Sequence, residues 1–221
     1  MAEYSRPYSI RVRGDLASWT NPSLKAERVT YQIPTPSGLR GLIESVLWKP
    51  AITWRIEEIT LLAPIRYIQF RRNEVNTRAS VSAANSAARS GDPLTFYADE
   101  DRAQRNTIAL RDVDFAFTAR MEFTARRGRD DNMRKFEEMF ERRLEKGQWV
   151  TPPVLGLREF PASVVEAYNG LPAPIDLTQD FGWVLHDIQF GTSQQAVFFH
   201  AMSEHGRISI PPLPPRVGVP G

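Results

Sequence analysis

The sequence predicts an α+β protein. A ferredoxin-like (RRM-type) βαββαβ unit over residues 1–160 carries an insertion at about 76–105, and a small C-terminal β subdomain follows over 161–221. Three observations carry this reading. Apolar and polar residues alternate along Tyr8–Gly14, Ala51–Leu62 and Thr107–Thr124, the period-two mark of half-buried strands. Two stretches, near 35–48 and 132–146, space their apolar residues at helical intervals. The resulting order of strand, helix, strand, insertion, strand, helix, strand is that of a βαββαβ unit.

In chain order, YSIRVRG (8–14) is the first strand, and a long irregular connection with Trp19 and Pro22 follows. The first helix is fenced by prolines. Thr35 is a good N-cap, Pro36 suits the first helical position, and Leu39, Leu42, Ile43, Val46 and Leu47 form the apolar stripe. Pro50 disfavours helical backbone at Lys49, so the helix stops near Trp48. Ala51–Leu62 is a strand with Ile52, Trp54 and Ile56 on one face, and Pro64–Phe70 is a shorter extended run. NTRASVSAANSAARSG (76–91) is small, polar and without periodicity, and reads as a flexible loop. Thr107–Thr124 is a strand, and Asn132–Lys146 is a helix with Phe136, Met139, Phe140 and Leu144 as its stripe. Leu155–Phe160 is a short strand or turn, and 161–180 is a proline-rich connection. Gly182–Phe190 and Gln195–Met202 form a hairpin, and Arg207–Ile210 adds an edge strand. The tail PPLPPRVGVPG has little to pack against and is expected to be mobile.

The composition, 42% hydrophobic and 24% charged in 221 residues, is that of a folded globular chain. Cysteine is absent, which excludes disulfides, thiolate zinc sites and a cysteine nucleophile, and suits a reducing cytoplasm. The polar start has no apolar signal core, and no run is long enough to span a bilayer, so the expected location is cytoplasmic with no membrane partner. The net charge of +2 is unevenly spread: residues 1–147 hold 25 Lys and Arg against 20 Asp and Glu, and 148–221 hold 3 against 6. Of the 28 bases 24 are arginine, whose planar fork matches phosphate and stacks on bases. High-GC coding gives the same bias, so charge by itself supports nucleic acid only weakly.

Three stretches stand out from ordinary core. Ser37-Gly38-Leu39-Arg40-Gly41 puts two glycines in a first helical turn, where each weakens the helix by about 1 kcal/mol relative to alanine. Close approach of another backbone or of phosphate would explain them, with Arg40 alongside; tight packing on the sheet would do so equally. Arg71-Arg72-Asn73-Glu74-Val75 ends an apolar run just before the insertion. In Gln104–Val113, Arg105 and Arg111 bracket an apolar run, and Arg111-Asp112 is also a plain local ion pair. The histidines, His186, His200 and His205, have no metal-ligand spacing, and there is no P-loop, GxSxG, HExxH or carboxylate cluster. No metal or cofactor is expected.

Four motifs, PTPSGLRGLIESVLWKPAI, PIRYIQFRRNEV, QRNTIALRDVDF and LGLREFPAS, together resemble the CRISPR-associated Cas-five proteins of subtype I-C, the d or Dvulg branch of the RAMP superfamily. The resemblance runs from about residue 8 to about 210. It implies an N-terminal ferredoxin-like domain and a small C-terminal β domain. It also implies a subunit of the type I-C Cascade complex that grips the 5′ handle of CRISPR RNA, contacts the large subunit and the first Cas-seven backbone subunit, and meets target DNA only indirectly. In this subtype such proteins further cut the precursor RNA without metal, the ribose 2′-OH serving as nucleophile.

The catalytic pattern of that family is only partly present. The tyrosine before Trp-Lys-Pro is Leu47 here, and the Lys-His pair early in the second helix is Lys135-Phe136. Metal-free cleavage needs one group to take the 2′-OH proton and one to protonate the leaving 5′-oxygen, and leucine and phenylalanine do neither. Lys135 retains a role in stabilising phosphate charge. Either the site is rebuilt, with Tyr31, Tyr67 or a histidine as candidates, or the protein binds RNA as a purely structural subunit. A general duplex-DNA-binding role is a third, weaker reading. The residues expected to contact RNA are Arg40, Lys49, Arg71, Arg72, Asn73, Arg105 and Arg111; Phe198 and Phe199 face a partner subunit or the core of the small domain.

Overall fold

A computed structural model describes residues 3–22, 24, 27–75, 80–91, 93–95, 97, 99, 101–190 and 194–214. In chain order the elements are β1 (Tyr8–Ala17), β2 (Arg28–Val29), α1 (Pro36–Val46), β3 (Ile52–Leu61), β4 (Tyr67–Val75) and α2 (Val81–Ser90). They continue as β5 (Arg102–Phe123), α3 (Met133–Glu145), β6 (Val164–Ala167), β7 (Gln179–Phe190), β8 (Gln194–Ser203) and β9 (Arg207–Ser209). The fold is mixed α/β, with a large, mainly antiparallel sheet ordered β6-β1-β5-β3-β9. β2 and β4 pair with the other half of β5, and β7 and β8 form a two-stranded sheet of their own.

The 22-residue β5 is the spine. Phe117 lies opposite Ile10 of β1 on one side and opposite Ile59 of β3 on the other. Further back along the same strand, Arg105 lies opposite Arg72 of β4, and Thr107 lies beside Arg28 of β2. One face of the β1–β5–β3 half is apolar: Ile10, Val12, Trp54, Ile56, Phe115, Phe117 and Met121 are buried in one core with Leu39, Ile43 and Val46 of α1 and Phe136 and Phe140 of α3. β3 keeps its apolar residues on that face through a bulge between Ile56 and Glu58. The extra residue shifts the alternation from even to odd numbers, so that Ile59 and Leu61 return to the core. The opposite face is a mesh of ion pairs, Arg11–Asp114 at 2.7 Å, Arg55–Glu122 at 2.7 Å and Arg120–Glu57 at 3.0 Å.

Several elements depart from the sequence expectations. β1 runs on to Ala17, and β2 lies inside the connection read as irregular. Part of the stretch read as a flexible loop is α2: Ser80 caps it by accepting from Ala83 N at 3.3 Å, and Gly91 closes it at φ +79°. Its alanines favour helix without any periodic apolar stripe, and none of its residues is buried. Residues 76–79, 92, 96, 98 and 100 of the expected insertion lie outside the described residues, and 102–105 are already β5. Leu155–Phe160 is a turn closed by a Val154–Pro161 bridge, and the strand beside β1 is instead β6, inside the expected proline-rich connection. β9 and β6 both join the large sheet. Residues 215–221 of the expected mobile tail lie outside the described residues.

The two glycines of α1 have different reasons. A Cβ at Gly38 would stand 2.7 Å from Cδ1 of Trp19, whereas at Gly41 it would meet nothing within 4 Å. The close approach at Gly38 is therefore made by the chain's own Trp19, buried and edge-on to Phe115 at 5.8 Å. Gly38→Ala is expected to cost about 2 kcal/mol through overpacking, and Gly41→Ala to gain up to about 1 kcal/mol from helix propensity. Urea unfolding of the two variants checks both signs.

Candidate nucleic-acid interface

The β4–β5 ribbon gathers four of the expected binding residues and sorts them by strand geometry. Side chains two apart share a face, so Arg71 and Arg72 point to opposite sides. Arg71 and Asn73 stand with Tyr67 and Gln69 on the exposed side, where Arg71 reaches toward Gln104 across the ladder at 3.5 Å. Arg72 and Arg105 stand on the half-buried side. There Arg72 is ion-paired to Glu159 and lies 3.5 Å from Glu74, and Arg105 lies 3.4 Å from Glu74. Arg28 of β2 joins them with a two-pronged bond to Glu74 at 2.6 and 3.2 Å. The cations hold the Glu74 carboxyl below its ordinary range, Arg28 first among them. Arg111 is exposed and sits apart, 3.9 Å from Asp112.

At the start of α1, Thr35 Oγ1 accepts from Gly38 N at 3.2 Å, as its capping role requires. Arg40 does not stand open beside this helix end. Its guanidinium forms a two-pronged pair with Asp187 of β7, one arm at 2.9 Å, and so ties α1 to the hairpin. Asp187 is held in turn by the Ile188 N–H at 2.8 Å.

The other end of α1 leads into the segment beside the loop between β5 and α3, and Val46 O accepts from Arg143 in the last turn of α3 at 2.9 Å. Thr124 N donates to Ala51 O at 2.9 Å and Thr124 Oγ1 to Pro50 O at 2.6 Å, which brings Trp48 and Lys49 beside the loop leaving β5. Trp48 is 55% exposed, so this tryptophan is presented to solvent, unlike Trp54, whose Nε1 donates to Leu47 O at 3.0 Å. Leu47 and Phe136, at the two positions where the resemblance implies catalytic groups, are both core residues. Lys135 is exposed, paired with Asp131 at 3.1 Å, and 5.5 Å from the Phe136 ring centre. Arginines 126, 127, 129 and 134 surround it in sequence, and Arg127 stacks on Phe123 at 3.9 Å. The ARRGR run signalled this basic end, but it falls between the periodic segments.

Of the sequence candidates for a replacement base, His186 lines a cavity with Thr53, Arg55 and Glu122 toward this end, whereas the tyrosines and His205 lie away from it. Tyr67 pairs with Leu110, about 40 Å along β5 from Phe123. Tyr31 is buried near Leu185 at the far end of α1, and burial pushes its hydroxyl pKa up. His205 sits at the far end of β3, its ring bonded to Asp176 at 2.6 Å. His186 is buried with Nε2 2.8 Å from Pro211 O, and His200 pairs with Asp180 at 3.1 Å. Tyr4, which the sequence reading passed over, bridges to Glu122 at the Lys135 end and is exposed. On the hairpin, Phe199 is core, while Phe198 is exposed together with Trp183, Phe190 and Met202.

A family model described as CRISPR-associated protein (Cas_Cas5), of the Cas5d type, matches residues 8–211. The CRISPR pre-crRNA endoribonuclease Cas5d of Mannheimia succiniciproducens is 38% identical over 212 residues, covering 92% of this chain and 94% of that one. A crystal structure of a CRISPR-associated protein superposes with a TM-score of 0.70 at 20% identity, covering 96% and 95% of the two chains. A chain of a CRISPR RNA-guided surveillance complex superposes at 0.51 and 12% identity, covering 92% and 87%. These two structural likenesses are of fold.

The Arg40–Asp187 pair predicts a structural phenotype. Arg40→Met leaves Asp187, whose side chain is 9% exposed, without its cation and is expected to lower stability by about 2 kcal/mol. Adding Asp187→Leu should recover part of that loss in thermal unfolding.

Proposed function

The chain belongs to the CRISPR-associated Cas5 family, Cas5d type, and from that premise we propose that it grips the repeat-derived 5′ handle of CRISPR RNA as a subunit of a type I-C surveillance complex. One observation carries the reading: the β4–β5 ribbon presents Tyr67, Gln69, Arg71 and Asn73 along one exposed side, a row of stacking, hydrogen-bonding and cationic groups suited to single-stranded RNA. Arg72, Arg105 and Arg28 stand on its other side. Lys49 and Lys135 line the second basic region at the junction of α1 and α3, and Arg111 lies between the two regions. Phosphate contacts dominate affinity, and Asn73 and Gln69 read bases or ribose. Arg40 acts here by fixing the hairpin against α1.

The finer fold reading rests on strand order. β1, α1, β3, β5, α3 and β6 follow one another in the chain, and their strands lie side by side in the order fourth, first, third, second, which supports a ferredoxin-like unit. The division near residue 160 is one of role. Residues 161–221 supply the outer strands β6 and β9 and the hairpin, whose residues 179–203 contain no lysine or arginine. Trp183, Phe190, Phe198 and Met202 on its exposed side therefore suit the backbone and large protein subunits and not phosphate. Target DNA is met through the guide RNA. No helix among the described residues is long and apolar enough to cross a membrane, in keeping with a cytoplasmic assembly.

The relative's identity as an endoribonuclease favours a second reading, cleavage as well as binding, with Lys135 steadying phosphate charge and Tyr4 at the same end of the sheet. The burial of Leu47 and Phe136 weighs for holding without that cut. A general duplex-DNA role has less support, because Arg11, Arg55 and Arg120 on the open sheet face are each held by a carboxylate.

The purified protein incubated with repeat RNA in excess EDTA is expected to retard the RNA on a native gel and leave it intact on a denaturing gel. A cut at the base of the repeat hairpin, lost when that position is 2′-deoxy and slowed by Lys135→Ala, would instead establish the nuclease reading. Equal affinity for unrelated duplex DNA would overturn the handle-binding reading.

A further inference from the structure

Arg72 stands between two carboxylates of unlike setting, and we infer that they play opposite parts in RNA binding: Glu74 positions a three-arginine phosphate cradle, while Glu159 occupies the place of an RNA phosphate and is displaced by it. The inference rests on the reading of the β4–β5 ribbon as an RNA-gripping element.

The cradle is built from three strands. Arg28, Arg72 and Arg105 come from β2, β4 and β5 and face Glu74 at 2.6, 3.5 and 3.4 Å. Three guanidinium groups brought together repel one another, and one carboxylate at their centre offsets that repulsion. Glu74 is well suited to the task. It lies on the same strand as Arg72, its side chain is 17% exposed, and Arg28 grips both of its oxygens. The arginines keep donors to spare, since each guanidinium carries five. Their side chains are 25 to 38% exposed, open enough to meet a phosphate.

Glu159 arrives differently. It rides on the turn 155–160, which docks on the ribbon through Phe160, edge-on to Phe70 at 6.4 Å. Gly156 lets the turn sit close, because its φ is +87° and a Cβ there would stand 2.0 Å from Ser18 O. The Glu159 side chain is 43% exposed and bonds Arg72 through the guanidinium arm opposite the one facing Glu74. An exposed carboxylate on one arm of an arginine is a weakly held counter-ion, and a phosphate diester offers the same bidentate oxygens with a partner chain attached. RNA exchanges for Glu159 without disturbing Glu74.

The test compares Glu74→Gln, Glu159→Gln and, as a control for net charge alone, Glu204→Gln on the exposed turn before β9. All three raise the net charge by one unit, so charge by itself tightens all three alike. Binding of repeat RNA is measured across a salt series by fluorescence anisotropy, with thermal unfolding as a check on folding. Glu74→Asp, which keeps the charge but shortens the reach, covers the case in which Glu74→Gln unfolds. The expected result is that Glu159→Gln tightens binding about three- to tenfold beyond Glu204→Gln, and that this gain vanishes in an Arg72→Ala background. Glu74→Gln and Glu74→Asp should weaken binding about tenfold and flatten the salt slope by about 0.7, one phosphate on a single strand. Weakening by both Gln variants would reduce the cluster to a structural clasp, and tightening by both would reduce it to net charge; either overturns the inference. RNA binding that neither carboxylate alters would overturn it alone, whereas failure of the unaltered protein to bind RNA would remove the handle-binding reading with it.

Discussion

The structure depends on one strand that carries two sets of partners in series along a single sheet. A strand of 22 residues is about four times the usual length and reaches about 70 Å. Its C-terminal half is buried between β1 and β3 and supplies Phe115, Phe117, Ala119 and Met121 to the core. Its N-terminal half carries β4 and β2 and exposes polar and charged side chains. Both halves share one continuous backbone, so the rigidity of the core is transmitted directly to the ribbon. The polar and cationic groups on the ribbon are thereby held by an element of secondary structure and not by a loop, which keeps their spacing fixed.

The second constraint is where arginine goes. Most arginines on the open face of the sheet meet a carboxylate across a strand, as Arg11, Arg55, Arg120 and Arg207 do. Such pairs, half-exposed and distributed, add little stability each, yet they neutralise a surface that would otherwise attract any polyanion. The cations of the ribbon and of the β5–α3 loop meet carboxylates too, Arg28, Arg72 and Arg105 sharing Glu74 and Lys135 pairing with Asp131, but there several cations share few carboxylates. The pairs on the remainder of the sheet leave it electrostatically quiet.

The fold was legible wherever apolar periodicity was strong. Alternation marked β1, β3 and β5, the helical stripes marked α1 and α3, and the proline fence gave both ends of α1. Periodicity was silent where structure rests on caps or on partners distant in sequence. α2 has good caps and alanines but no buried stripe, and β6 is four residues whose partner lies more than 150 positions earlier. The candidate site followed the same rule. Arg71 and Asn73 were visible as polar residues ending an apolar run and Lys135 only through the resemblance, but the pairing of Arg40 with Asp187 and of Arg72 with Glu159 joins segments that no local pattern connects. The reason for Gly38 was equally invisible, because Trp19 reaches it from the far side of an irregular connection.

Leu47 and Phe136, at the two positions where the resemblance implies proton-transfer groups, are fixed by packing. These are not surface positions that happen to carry the wrong side chain. Leu47 ends α1 with its carbonyl accepting from the Trp54 indole, and its side chain is fully buried. Phe136 packs edge-on to Phe123 beneath the first turn of α3, 2% exposed. A tyrosine hydroxyl or an imidazole placed on either backbone position must leave the core to meet RNA, and the core must repack behind it. Leucine and phenylalanine at these positions fill the core beneath the end of α1 and the first turn of α3. That packing lies next to Trp48 and Lys49 and beside the loop between β5 and α3 with its arginines.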